Sequence, residues 1–140
     1  MKENNKIVID TNLLISAVLF PNSLPAKAVD EAMYYWQIVV SESTLNEFLE
    51  VISRKKFDKY FINKPNRKQV FIENFTQSAV IVEPTEIITD CKDPKDNQFL
   101  EIAISANARL LVTGDHKDLI TMNPYRGLEI LTAREFLENY

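Results

Sequence analysis

The sequence predicts an α/β fold, a three-layer α/β/α sandwich around a parallel sheet of about four or five strands. Three observations predict it. Short aliphatic runs such as Ile7-Val8-Ile9, Ile38-Val39-Val40 and Leu110-Leu111-Val112 alternate with longer stretches whose apolar residues recur every three or four positions. Runs that are apolar at every position belong to strands covered on both faces, as parallel strands are. The segments between them are helical and long enough for right-handed crossovers. All 140 residues, 46% of them apolar, are read as one domain spanning 1–140.

Residues 6–10, Lys-Ile-Val-Ile-Asp, read as a buried strand stopping at a carboxylate, and 12–20 continue with helical spacing until Pro21. A second helix is predicted over 25–36, with Pro25 in its first turn, and a strand over 37–40. Thr44 opens a long helix in which Leu45, Phe48, Leu49 and Ile52 make one apolar face. A turn or break around Lys55 to Pro65 separates it from a helix over 67–78. A strand at 79–82 precedes Pro84, and Asp93-Pro94 starts a helix through Ala108 with Phe99, Leu100, Ala103 and Ile104 inward. A strand over 110–113, a helical turn after Asp115, a strand over 128–131 and a helix opened by Thr132 with Glu135 complete the chain. Asp10 and Thr113-Gly114-Asp115 therefore end two strands at the edge where open α/β sheets bind their ligands.

Composition removes most other chemistry. Two glycines, Gly114 and Gly127, cannot build a dinucleotide fingerprint or a P-loop. One cysteine, Cys91, excludes an internal disulfide and a thiolate metal site and fits a reducing compartment. The lone histidine, His116, argues against zinc sites, has no nucleophile elbow around it, and reads as a solvated turn residue. No apolar run approaches the roughly 18 residues of a membrane span and no signal-peptide pattern develops, so a soluble, cytoplasmic protein is expected. Catalysis, if present, rests on carboxylates. The net charge of −4 is unevenly spread: from Arg54 to Lys68 seven bases stand against one acid, leaving about −10 for the rest. Arg54, Lys55, Lys56 and Lys59 are thus candidates for RNA contact, against the plainer reading of a solvated helix face. Phe57, Tyr60 and Phe61 among them could stack on bases, but packing onto a neighbouring helix is favoured.

Each carboxylate also has an ordinary role. Asp10 could cap the helix after it, although a charge at the end of a buried Ile-Val-Ile strand calls for a partner such as a metal ion. Glu47 completes Thr44-x-x-Glu47, a capping box. Asp93 fits a helix N-cap and Asp96 its third position, which leaves Asp96 the freer of the two to act as a ligand. Asp115 and Asp118 could cap the turn they stand in.

The stretches Ile7-Val-Ile-Asp10-Thr-Asn12-Leu-Leu-Ile-Ser16, Ser43-Thr-Leu-Asn-Glu47-Phe-Leu, Asp93-Pro-Lys-Asp96-Asn97-Gln-Phe-Leu-Glu-Ile-Ala103 and Leu111-Val-Thr-Gly-Asp115-His-Lys-Asp118-Leu resemble the PIN-domain family, in the family's order and over nearly the whole chain. The resemblance implies a metal-dependent nuclease, a hydrolase, with Asp10, Glu47, Asp96 and Asp115 as catalytic metal-site acids. Asn12, Asp93, Thr113 and Asp118 are candidate supporting groups, and Asp93 stays open as the alternative to Asp96. In many relatives the position of Asn97 is acidic. Chains of this size resemble the toxin subunits of toxin–antitoxin pairs, the virulence-associated protein C type, which implies an RNA substrate, a small antitoxin partner and a homodimer or higher oligomer. Oxygen ligands suit Mg²⁺ or Mn²⁺. Two alternatives remain: a phosphohydrolase with Asp10 as nucleophile, disfavoured because Asn12 stands where a second acid is wanted, and a non-catalytic RNA-binding scaffold.

Overall fold

The structure is a computed structural model that describes residues 4–114 and 117–140. Strands β1 (Lys6–Ile9), β2 (Gln37–Val40), β3 (Ala79–Ile81), β4 (Leu110–Val112) and β5 (Glu129–Leu131) form one parallel sheet in the order β3-β2-β1-β4-β5. The predicted strands are all present, three of them ending one residue earlier and the last beginning one later. Successive side chains of a strand point to opposite faces. Ile7, Ile9, Ile38, Val40, Leu110 and Val112 accordingly join one core, and Val8, Val39, Leu111 and Ile130 the other.

The first core is covered by α1 (Thr11–Leu19), α2 (Leu24–Tyr35), α3 (Glu42–Ile52), α4 (Arg67–Ser78) and α6 (Ala133–Asn139), which bury Leu14, Val18, Val29, Phe48, Phe75 and Phe136. The second is covered by α5 (Asn97–Ser105) and by the irregular segment 82–93, through Phe99, Leu100, Ile102, Ile88 and Cys91. That segment is strapped to α5 by its backbone. The N–H groups of Thr85, Ile88 and Cys91 donate to Ser105 Oγ (2.8 Å), Glu101 Oε2 (2.9 Å) and Asn97 Oδ1 (2.9 Å). Every third residue of the strap meets every fourth of the helix, so donors that no strand pairs are satisfied by side chains.

Two helix starts differ from expectation by more than one residue. Ser41, not Thr44, caps α3: Ser41 Oγ accepts from Thr44 N–H (3.0 Å) and Thr44 Oγ1 from Ser41 N–H (2.9 Å), a capping box closed between these two residues. Glu47 is displaced into the body of the helix and has no capping role. The helix predicted from Asp93 to Ala108 is a 3₁₀ turn at Pro94–Asp96 followed by α5. It stops early because Asn107 takes the left-handed conformation (φ 54°), and the N–H groups of Asn107 and Ala108 turn back to Ile104 O (3.1 Å) and Ala103 O (2.8 Å). The final capping box, Thr132 with Glu135, is as predicted.

From β1 the chain crosses through α1 and α2 to β2, and through α3 and α4 to β3. It then returns by way of α5 to β4, on the other side of β1. The strand order therefore reverses between β1 and β4, and beyond their carboxyl ends such sheets open a crevice. Among the described residues no helix is long and apolar enough to cross a membrane.

Candidate active site

Asp10 leaves β1 at this switch point and is 2% exposed. Its Oδ1 accepts from Leu13 N–H (3.0 Å), which caps α1, so the capping role read from the sequence is real. It is not the whole role. Thr113 Oγ1 donates to Asp10 Oδ2, and Gly114 N–H lies 3.1 and 3.3 Å from the two carboxylate oxygens. Thr113, itself buried, thus holds Asp10. Gly114 is needed for close approach: a Cβ there would stand 3.2 Å from Leu13 N and 3.4 Å from Asn12 Cβ. Three donors, one from the start of α1 and two from the end of β4, hold this buried carboxylate.

Glu47 is half-buried on α3 and accepts from Gln98 Nε2. Gln98, in the first turn of α5, is itself held by Ser43 Oγ, which donates to its Oε1 (2.7 Å), and by Lys95 O, to which its Nε2 also donates (3.1 Å). The starts of α3 and α5 are thereby joined. Asp96 stands at the N-cap position of α5, and its side chain makes no capping hydrogen bond. Asp93 does cap, accepting from Lys95 N–H (3.1 Å). Asn97 is buried, and its Oδ1 anchors the strap at Cys91.

Asn12 is exposed on the first turn of α1. Asp118 is half-buried in the turn before the 3₁₀ helix Ile120–Met122, and its carbonyl accepts from Thr121 Oγ1 (2.9 Å). Asp115 and His116 lie outside the described residues. Among the described residues no three His, Cys, Asp or Glu side chains are grouped closely enough to hold a metal ion. The donor chemistry nevertheless suits a hard divalent cation, because the candidates offer carboxylate oxygens only. Thr11, next to Asp10, adds a buried hydroxyl with no hydrogen-bond partner among the described residues, a polar group of the kind that an ordered water or ion would satisfy.

The sequence profile of the PIN domain matches residues 6–117. The chain belongs to the PIN-domain family. Members of this family are in general nucleases that use divalent metals. A protein of Methanocaldococcus jannaschii is 35% identical over 145 aligned positions, covering 96% of this chain and 91% of its own length. The fold is similar to that of VapBC2 from Rickettsia felis, solved bound to a DNA fragment from their promoter. That match has a TM-score of 0.59 and 17% identity, and covers 91% of this chain and 98% of the other.

In this PIN domain the basic segment packs as a corner. Its residues Lys55–Phe61 form a 3₁₀ helix in which Phe61 is buried and Phe57 leans on the first core. Tyr60 meets Phe20 edge-on at 5.5 Å, and Arg67 donates to Val18 O and to Tyr60 O (3.2 Å). The aromatic residues are packing groups, as favoured from the sequence. Lys55, Lys56 and Lys59 are exposed, and Arg54 pairs with Glu50 at 2.9 Å. These contacts sit at the last turn of α1, whereas Asp10 caps its first, about 12 Å away along the helix.

Sequence reasoning passed over Gly114 N–H as a holder of Asp10, Gln98 as the partner of Glu47, and Asn97 as a strap anchor. The first had a signal, a glycine directly after a strand; the other two depend on contacts across elements.

Proposed function

We propose that this PIN domain is a divalent-metal-dependent endoribonuclease, the toxin component of a toxin–antitoxin pair. The observation that carries the reading is the buried carboxylate of Asp10 at the β1/β4 switch point, with both oxygens held by donors from the end of β4 and the start of α1. Asp10, Glu47, Asp96 and Asp115 would hold Mg²⁺ or Mn²⁺, which when bound activates water and offsets charge on the phosphodiester. Thr113 and Gly114 keep the Asp10 oxygens in place, and Gln98 restrains Glu47. Asn12 on the exposed first turn of α1 and Asp118 in the turn after β4 are the nearest supporting groups by sequence position. The toxin role, a small antitoxin partner, a homodimer or higher oligomer and a cytoplasmic setting rest on the resemblance, and the likeness in fold to VapBC2 supports the toxin role and the antitoxin partner.

The test is cleavage of single-stranded RNA by the purified protein with Mg²⁺ or Mn²⁺, repeated in chelator and with Asp10→Asn. Activity with metal that disappears in both controls is expected. Cleavage that persists in chelator would rule out the metal mechanism, and RNA binding without cleavage would favour a non-catalytic scaffold.

A further inference from the structure

A cleft of about 470 Å³ opens beside Asp10, between the first turns of α1 and α2, the end of β4 and the first turn of α6. We propose that it seats one nucleotide of a single-stranded RNA next to the scissile phosphodiester, with Arg134 on that nucleotide's phosphate; this rests on the ribonuclease reading above. Its volume lies within the range of roughly 300–1,000 Å³ common to small-ligand sites.

The first argument is continuity. Thr113 and Gly114 form one wall of the cleft and are the groups that donate to Asp10, so an occupant lies directly beside that carboxylate. The second is lining chemistry. Leu13, Leu24, Pro25 and Ala133 supply an apolar surface, and Leu24 keeps 36% of its area exposed there, an unspent face for a base or ribose. The third is charge. Among the described residues Arg134 is the one charged residue lining the cleft, and it is exposed and has no ion pair with any of them. The neighbouring Glu135 does not neutralise it by pairing, since its Oε1 is turned back onto Thr132 N–H at 3.0 Å. A planar guanidinium with open donors beside an apolar wall suits a phosphate attached to a base better than it suits an apolar peptide. The lysine-rich corner, by contrast, meets the opposite end of α1.

The experiment compares the full chain with Arg134→Gln and Arg134→Lys. A labelled single-stranded RNA oligonucleotide is titrated over a salt series in chelator, and steady-state cleavage is followed with Mn²⁺. Arg134→Gln should weaken binding about tenfold, lower the salt slope by about 0.7 and raise KM in proportion, while Arg134→Lys should keep the wild-type slope. Melting curves establish that the exposed substitution leaves the fold intact. If the wild-type protein binds or cleaves RNA and Arg134→Gln matches it in affinity, slope and KM, the cleft assignment falls and the ribonuclease reading stands. If the wild-type protein neither binds nor cleaves RNA, that reading falls and takes the cleft with it.

Discussion

Asp10 and Glu47 stand at the same edge of the sheet but are held in different ways. Asp10 is buried, and its oxygens accept from two backbone N–H groups and one hydroxyl, all on segments that the β1–β4 pairing brings together. Glu47 is half-buried on a helix surface and accepts from one amide side chain, Gln98, across from another helix. A carboxylate built into strand topology cannot be removed without disturbing the fold, whereas one held by a neighbouring side chain can be changed with little cost to it. The difference separates what stability measurements can see from what only metal binding can.

The largest effect expected is at Asp10. Replacement by alanine leaves the N–H groups of Leu13 and Gly114 and the hydroxyl of Thr113 without their acceptor, and should cost about 3 kcal/mol in denaturant unfolding. Asp10→Asn keeps one acceptor oxygen and should cost about 1 kcal/mol while abolishing cleavage. Equal stability of both variants with the wild type would break the picture of a carboxylate wired into the fold.

Metal addition tests whether the second group of acids joins the first. Mn²⁺ at a hundredfold excess over its Kd should add about 2.7 kcal/mol, read as a rise in melting temperature. Asp96→Asn should lose most of the Mn²⁺ response. A destabilised Asp96→Asn together with a flat manganese titration would assign the residue to the helix and not to the metal.

Gln98→Leu sharpens the contrast with Asp10. Stability should fall by no more than about 1 kcal/mol, since Gln98 is half-buried and its amide is partly open to solvent, yet Mn²⁺ affinity should fall about tenfold as Glu47 loses its restraint. Calorimetric titration giving the wild-type affinity would show that Glu47 needs no such partner. The smallest effect concerns the basic corner. Replacing Lys55, Lys56 and Lys59 with glutamine should flatten the salt dependence of RNA binding by about 2 in slope if all three meet phosphates. An unchanged slope would return them to a solvated surface.

Much of this molecule could be read directly from the chain. Periodicity is local, and so the strands, the helix over 67–78 and the Thr132-Glu135 box appeared where expected. Asp10 was conspicuous because a charge directly after Ile-Val-Ile has few ordinary homes. Thr113 was implied by resemblance, and the adjoining glycine was visible but not interpreted. The start of α3 was misplaced because Ser41 and Thr44 can each open a helix, and only the backbone geometry, which lets Ser41 and Thr44 cap each other, chooses between them. The same choice freed Glu47 from the cap. Asn97 and Gln98 are adjacent polar residues with no local signal to tell them apart. Their directions around α5 decide that one anchors the strap at Cys91 and the other reaches Glu47, fifty-one positions earlier in the chain. Local chemistry settled which elements form and which acid is out of place in an apolar run. The partners of those acids required the tertiary structure, because hydrogen bonds between segments far apart in sequence are set by how helices and strands pack, and no spacing along the chain encodes them.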